Sequence, residues 1–307
     1  MKISSISNSK HISEKICEKL GVKMTQTIRK DFKDTEFTVG FEESIRGEKI
    51  FIIGSTNELR GNKNLMELCM LIRAAKSANA KEIIVIIPFF GWGQADRKDL
   101  DRSCVTAKLV ADFIEISGAT QVVTFDLHAV QVQSFFNIAS DHILYEKVLM
   151  NWFKNQNKNN DYILAAPDTG AAKKVQKMAN QLECDFVIFY KNRNKTTNQI
   201  SNMEIFGDVL NKNVILCDDI INTGGTLCEA AKILKKKGAK KVFAYCSHAV
   251  LASKAVDLIE TSDIDKLLVT DSIYYDNNSD KIEILSCDKI ISNVINRINN
   301  NLSLSDI

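Results

Sequence analysis

The sequence predicts an α/β protein of two domains, each a mostly parallel sheet flanked by helices. Three observations carry this. A chain of 307 residues is long for one core and comfortable for two. Short apolar runs alternate with segments of helical period. The alternation also comes twice, on either side of the polar run KNQNKNN at 154–160. The boundary is placed near residue 145, giving domains 1–145 and 146–307.

The first series opens with the strand KIFIIGS (49–55). A helix follows over about Asn64–Asn79, with Leu65, Leu68, Leu71, Ile72 and Ala75 on one face. Then come the strand EIIVIIP (82–88), a polar loop, the helix VTAKLVADFIEIS (105–117) and the strand QVVTFD (121–126). The second series runs DYILAAP (161–167), a helix over Thr169–Leu182, FVIFY (186–190), NVILCDD (213–219), a helix over Gly225–Lys237 and KVFAYC (241–246). Shorter strands at KLLVTDS (266–272) and KIEILSC (281–287) precede a last helix from about Asp288. Near-continuous apolar strands between helices imply sheets covered on both faces.

Composition narrows the function classes. A net charge of +2 is too small to argue for nucleic acid or an anionic membrane surface, so any basic site is local. No apolar run reaches the ~18 residues of a bilayer span, and the polar N-terminus MKISSISNSKHISEK lacks a secretory core. The expectation is a cytoplasmic protein with neither nucleic acid nor membrane as partner. The eight cysteines form no CxxC pair and read as small buried apolar residues of a reducing compartment. The only two prolines, Pro88 and Pro167, each follow an apolar strand. They mark the carboxyl edge of a sheet, where α/β proteins bind ligands.

The most specific segment is V-I-L-C-D-D-I-I-N-T-G-G-T-L. A buried strand delivers Asp218 and Asp219, and the turn Asn222-Thr223-Gly224-Gly225-Thr226 opens a helix. Two glycines let successive N–H groups converge on one spot, and the helix N-terminus adds positive partial charge. That is a phosphate cradle without a lysine. Two carboxylates beside it suit sugar hydroxyls or a divalent cation. Phosphate at one end and hydroxyls at the other describe ribose 5-phosphate. Neither the P-loop nor the dinucleotide fingerprint is present.

This pattern resembles the phosphoribosyl-binding signature shared by phosphoribosyltransferases and ribose-phosphate pyrophosphokinases. The segments NLMELCMLIRAAKSANAKEIIVIIPFFGW (64–92), RKD (97–99), TAKLVADFIEISGA (106–119) and TFDLHAVQVQSFFNI (124–138) resemble the pyrophosphokinases in particular. The resemblance implies two phosphoribosyltransferase-like domains, the first on the nucleotide side and the second holding ribose 5-phosphate. It implies diphosphate transfer from ATP to the anomeric hydroxyl, with Mg2+ and a homo-oligomer, commonly a hexamer. His128 and Asp168 match the residues that serve the magnesium site. Lys191 and Arg193, in a loop after FVIFY, match the pair that closes over the reacting phosphates, and Arg193 also falls on the ribose 5-phosphate side. Phe32, Asp34, Thr35 and Glu36 match a segment that reaches the adenine from a neighbouring subunit. Residues alone read that segment as a charged turn. Arg46 and Arg102-Ser103 match segments near an allosteric nucleotide site.

Departures from the family pattern fall mainly on the nucleotide side. Gln94, Ala95, Asp96 and Arg97 occupy the nucleotide loop, with Gln94 where the family has an ATP-contacting arginine and Ala95 where it has glutamine. Asn222 replaces an aspartate of the cradle, Ala171 a glycine after Pro167-Asp168-Thr169-Gly170, and Thr35 a glycine. These changes leave a second function open: a non-catalytic homologue that binds sugar phosphate or nucleotide and regulates an active partner.

Overall fold

Apolar strands, most of them separated by helices, build one large sheet in each of two units. A computed structural model describes residues 1–56, 62–98, 100–157, 161–193, 200–276 and 278–307, without the side chains of 191–193 and 200–202. Its contacts divide the chain into two units. The first is Met1–Tyr145 with Ser272–Tyr274 and Ser286–Ile307, and the second is Glu146–Asp271 with Tyr275–Leu285.

The first unit runs β1 (Lys2–Ser5), α1 (Lys10–Leu20), β2 (Thr27–Asp31), β3 (Phe37–Phe41), β4 (Lys49–Ile53), α2 (Lys63–Ser77), β5 (Glu82–Ile87), α3 (Thr106–Ser117), β6 (Gln121–Phe125) and β7 (Ala139–Ile143). Five strands form one parallel sheet in the order β1-β4-β5-β6-β7. In β5 every residue after Glu82 is buried, as a parallel strand covered on both faces requires. The predicted face of α2 (Leu65, Leu68, Leu71, Ile72, Ala75) is buried, together with Ala107, Val110, Ala111 and Ile114 of α3.

The second unit runs α4 (Glu146–Gln156), β8 (Tyr162–Ala166), α5 (Ala172–Leu182), β9 (Phe186–Arg193), β10 (Ile200–Phe206), β11 (Asn213–Ile221), α6 (Gly225–Lys236), β12 (Lys241–Ala249), α7 (Ala255–Glu260), β13 (Lys266–Thr270) and β14 (Ile282–Leu285). The sheet order is β10-β9-β8-β11-β12-β13-β14, and only β10 is antiparallel. Alternation along β11 shows the two covered faces. Val214 and Leu216 join one core with Ala230 and Leu234 of α6, while Ile215 and Cys217 join the other with Val175 and Met178 of α5.

The last helix, α8 (Asp288–Asn299), lies in the first unit, although the sequence assigns 146–307 to one domain. Its apolar face of Ile291, Val294 and Ile295 is fully buried, and it packs on α1. Helical period shows that such a face must be covered but not by which sheet or helix.

Two short strands absent from the sequence reading, β2 and β3, form an antiparallel hairpin. Arg29 of β2 anchors it. Its guanidinium donates to the buried Glu67 of α2 at 2.5 Å and lies 4.1 Å over the Phe37 ring. The same Glu67 carboxylate accepts from the Ser7 N–H at 2.8 Å and the Ser7 hydroxyl at 2.6 Å. At the tip, the Phe32 N–H donates to the Glu36 carbonyl at 2.8 Å and the Glu36 N–H to Asp34 Oδ1 at 3.3 Å. Thr35 closes this turn at φ 75°, where its branched side chain is strained and glycine is not. Thr35→Gly is expected to stabilise the protein by about 0.5–1 kcal/mol in denaturant unfolding, after the extra chain entropy of glycine is counted. An unchanged or lower midpoint would show that the turn carries no such strain.

Candidate functional site

Each unit carries one group of the predicted residues, at the carboxyl ends of its strands. In the second unit, β11 carries the carboxylates Asp218 and Asp219 near its end, both half-buried. The Asp219 N–H donates to Asp218 Oδ1 at 3.0 Å. Burial first, and then the negative charge of Asp219, push the Asp218 carboxyl up to about 7. Two carboxylates pressed together in this way form a place prepared for hydroxyl donors or a cation.

The chain then turns through Asn222–Gly225 into α6. Gly224 sits at φ 78°, which an L side chain rarely adopts, and it forms the N-terminal cap of the helix. Gly224 has no side chain with which to cap this end, and no acidic residue lies in the first turn. The first-turn amides and the helix dipole are therefore set to receive an anion. The turn is fixed from behind. The N–H groups of Val250 and Leu251 both donate to the Ile221 carbonyl at 3.1 Å, and that of Ala252 to the Asn222 carbonyl at 2.9 Å. These backbone donors carry no sequence signal, and sequence reasoning did not reach them.

β8 lies beside β11 and ends at Pro167-Asp168. The Asp168 carboxylate accepts the Ala171 N–H at 3.1 Å, ahead of α5. Gly170 leaves room for it, since a Cβ there would come within 3.2 Å of Asp168 Oδ1. Ala171, which replaces the family's glycine, sits at φ −77°, so its methyl group enters no forbidden conformation. On the other side of β8, β9 continues through Lys191 to Arg193, where the sequence reading expects a loop. It pairs with β10, Lys191 opposite Met203 and Arg193 opposite Ile200. The side chains of Lys191 and Arg193 lie outside the described residues. Ala165 pairs with Leu216 and Ala166 with Ile188, so Asp168 and Asp218 leave β8 and β11 at one edge, and β9 extends past that edge through Lys191 to Arg193.

In the first unit, the loops after the neighbouring strands β5 and β6 border a cavity of about 340 Å³ lined by Gln94, Asp96, Arg97, His128 and Gln131. The Gln131 side-chain amide donates to Asp96 Oδ2 at 2.8 Å. The first loop is held by the Gly91 N–H donating to Thr56 Oγ1 at 2.7 Å and the Ala107 N–H to the Ala95 carbonyl at 3.1 Å. Ala95 thus acts through its backbone and does not line the cavity. The second loop begins at buried Asp126, at φ 42°, whose carboxylate accepts the Tyr145 N–H at 3.4 Å. Next, the Leu127 N–H donates to His142 Nε2 at 3.0 Å, and His128 follows, exposed. Phe32, Asp34, Thr35 and Glu36 sit at the hairpin tip and do not line this cavity.

Among the described residues, no cluster of three or more His, Cys, Asp or Glu could hold a metal ion. All eight cysteines are free. Among the described residues, no helix is long and apolar enough to cross a membrane.

Comparison with known proteins reaches both units. A family model described as the N-terminal domain of ribose phosphate pyrophosphokinase matches residues 1–118. One described as the phosphoribosyl synthetase-associated domain matches residues 190–307. The chain is 39% identical over 300 residues to a ribose-phosphate pyrophosphokinase of Porphyromonas gingivalis, covering 98% of this chain and 95% of that protein. It is 40% identical over 310 residues to ribose-phosphate pyrophosphokinase 2 of Enterococcus faecalis, covering 100% of this chain and 95% of the relative. Its fold is similar to the crystal structure of phosphoribosylpyrophosphate synthetase from Mycobacterium smegmatis. That match has a TM-score of 0.90 at 29% identity and covers 98% of this chain and 99% of the other.

Proposed function

The chain belongs to the ribose-phosphate pyrophosphokinase family, and on that premise we propose that it transfers diphosphate from ATP to the anomeric hydroxyl of ribose 5-phosphate. The products are phosphoribosyl diphosphate and AMP, for nucleotide biosynthesis. The observation that carries this reading is the glycine-opened N-terminus of α6 behind Asp218 and Asp219. Thr223, Gly224, Gly225 and Thr226 take the 5-phosphate through backbone N–H groups and hydroxyls, with Asn222 beside them. Asp218 and Asp219 accept the sugar hydroxyls.

On the nucleotide side, the cavity of Gln94, Asp96, Arg97 and His128 supports a place for ATP phosphates. By resemblance to the family, the hairpin residues Phe32, Asp34, Thr35 and Glu36 reach the adenine of a neighbouring copy; their tip does not line that cavity. The reading therefore includes a homo-oligomer. Transfer of this kind consists mainly of positioning and charge neutralisation. Lys191 and Arg193 serve as the cations that meet charge developing on the transferred group.

The acidic edge fits magnesium, which binds through one or two carboxylates and substrate phosphate oxygens rather than a closed protein cage. Asp168 would hold it, with His128 serving the metal-bound nucleotide. When bound, the ion neutralises phosphate charge. The reading places the protein in the cytosol, where thiols stay reduced.

The test incubates purified protein with magnesium, ATP, ribose 5-phosphate and inorganic phosphate and follows AMP. AMP release dependent on ribose 5-phosphate is expected. Its absence across a wide ATP range would leave the second reading, a sugar-phosphate-binding homologue that regulates an active partner. Gln94 favours that alternative, because the cavity has an amide where the family has a guanidinium. Gln94→Arg is therefore expected to lower the KM for ATP by tenfold or more, matching about 1.5–3 kcal/mol for a charge-assisted hydrogen bond. An unchanged KM would show that Arg97 already fills that role.

A further inference from the structure

We propose that His142 is a positioning residue for the nucleotide side of this site, acting through the backbone of the turn that presents His128. The inference rests on the kinase reading above. His142 lies on β7, the edge strand beside β6, and neither periodicity nor motif singles it out.

The turn after β6 needs support from outside itself. Asp126 is buried and holds φ 42°, a conformation that non-glycine residues rarely keep without external ties. The ties come from the end of β7 and just beyond. The Asp126 N–H donates to the Ile143 carbonyl at 2.9 Å, and the Asp126 carboxylate accepts the Tyr145 N–H at 3.4 Å. Both of these involve backbone atoms on the β7 side, which many sequences could supply. The third tie is specific to one side chain: the Leu127 N–H donates to His142 Nε2 at 3.0 Å. Leu127 is 8% exposed, so its N–H has little access to water as an alternative partner. The next residue, His128, lines the cavity with Gln94, Asp96 and Arg97.

Accepting that N–H requires an unprotonated Nε2. His142 is therefore the neutral tautomer carrying its proton on Nδ1. Losing the acceptor frees the Leu127 amide, lets the strained Asp126 turn relax and displaces His128 without removing any group that touches the nucleotide.

Two variants of the full chain separate the acceptor from the shape. His142→Leu fills the volume without an acceptor, while His142→Gln brings an amide oxygen to about where Nε2 lies. His142→Leu is expected to raise the KM for magnesium–ATP about tenfold, equivalent to about 1.4 kcal/mol, with the KM for ribose 5-phosphate within about twofold of wild type. His142→Gln should recover most of that loss. Equal ATP KM values for wild type and His142→Leu, or equal impairment in both variants, would overturn the proposal. Nitrogen-15 spectra of histidine-labelled wild-type protein provide the readout independent of turnover. A hydrogen-bonded, unprotonated Nε2 is expected at His142, and a protonated Nε2 overturns the proposal. A wild-type protein that shows the bond yet makes no AMP would count against the kinase reading and not against the bond.

Discussion

Truncating Arg193 to alanine is expected to lower kcat for diphosphate transfer by about three orders of magnitude, and Lys191→Ala by about two, with little change in thermal stability. The transferred group passes through a loose transition state whose charge spreads over its outer oxygens, so fixed cations contribute most of the acceleration. Single donors of this kind are worth on the order of 10² to 10³ in rate, and a well-placed arginine about 10³ or more. The backbone places both residues on the end of β9 that pairs with β10 and extends past the edge where Asp168 and Asp218 emerge. Neither KM should move by more than a few-fold, because contacts made only in the transition state appear in kcat. A loss below tenfold in kcat would remove Arg193 from the chemistry and reduce it to a ground-state phosphate contact.

Ribose 5-phosphate affinity is expected to weaken about tenfold per pH unit below about 7 and to level off above it. Asp218 has an ordinary carboxyl value of 3.8 that burial and Asp219 push up to about 7. In the free protein it therefore keeps its proton through the acidic range, whereas accepting a sugar hydroxyl or facing a cation requires the carboxylate. Below about 7, binding must first remove that proton. Stability runs the other way. A raised carboxyl value favours the folded, unliganded state fully below about pH 4, and this contribution is lost as pH rises from about 4 to about 7. Asp218→Asn should leave only the shallower dependence of the ligand's own phosphate, which gains its second charge at about pH 6, and weaken affinity above pH 7 by about ten- to a hundredfold. The same variant should unfold at higher denaturant than wild type at pH 8. Calorimetry across pH 5.5–8.5 measures both. A pH-independent wild-type affinity would mean that Asp218 is already ionised in the empty site.

The cradle was legible because it is local: strand, acidic pair, glycine turn and helix follow one another from Val214 to Leu227. The apolar strands at β4, β5, β6, β8, β11 and β12 were legible because each is buried on both faces. Elements that spend their side chains on hydrogen bonds were not. In β1, Ser4 and Ser5 are buried, and Ser4 Oγ donates to the Thr25 carbonyl at 2.9 Å, so the strand shows no apolar run. β7 reads Ala-Ser-Asp-His-Ile, and β10 is an antiparallel edge with a register shift between Ile200 and Asn202. Gln94 and His128 were named from resemblance, but their meeting around one cavity depends on β5 and β6 being neighbours. The support from Thr56, His142 and the 250–252 backbone lies in pairings that no local pattern announces.

The return of α8 to the first unit sets an order of events during synthesis. The face of α1 that α8 covers is made at the start, and its cover comes after the whole second sheet. At 5–20 residues per second, the ribosome leaves that face waiting for roughly tens of seconds. The second unit is complete in sequence while the first is unfinished. A newly made chain thus has all of its second unit before the helix that completes its first, and chaperones have that interval in which to act on the earlier-made unit.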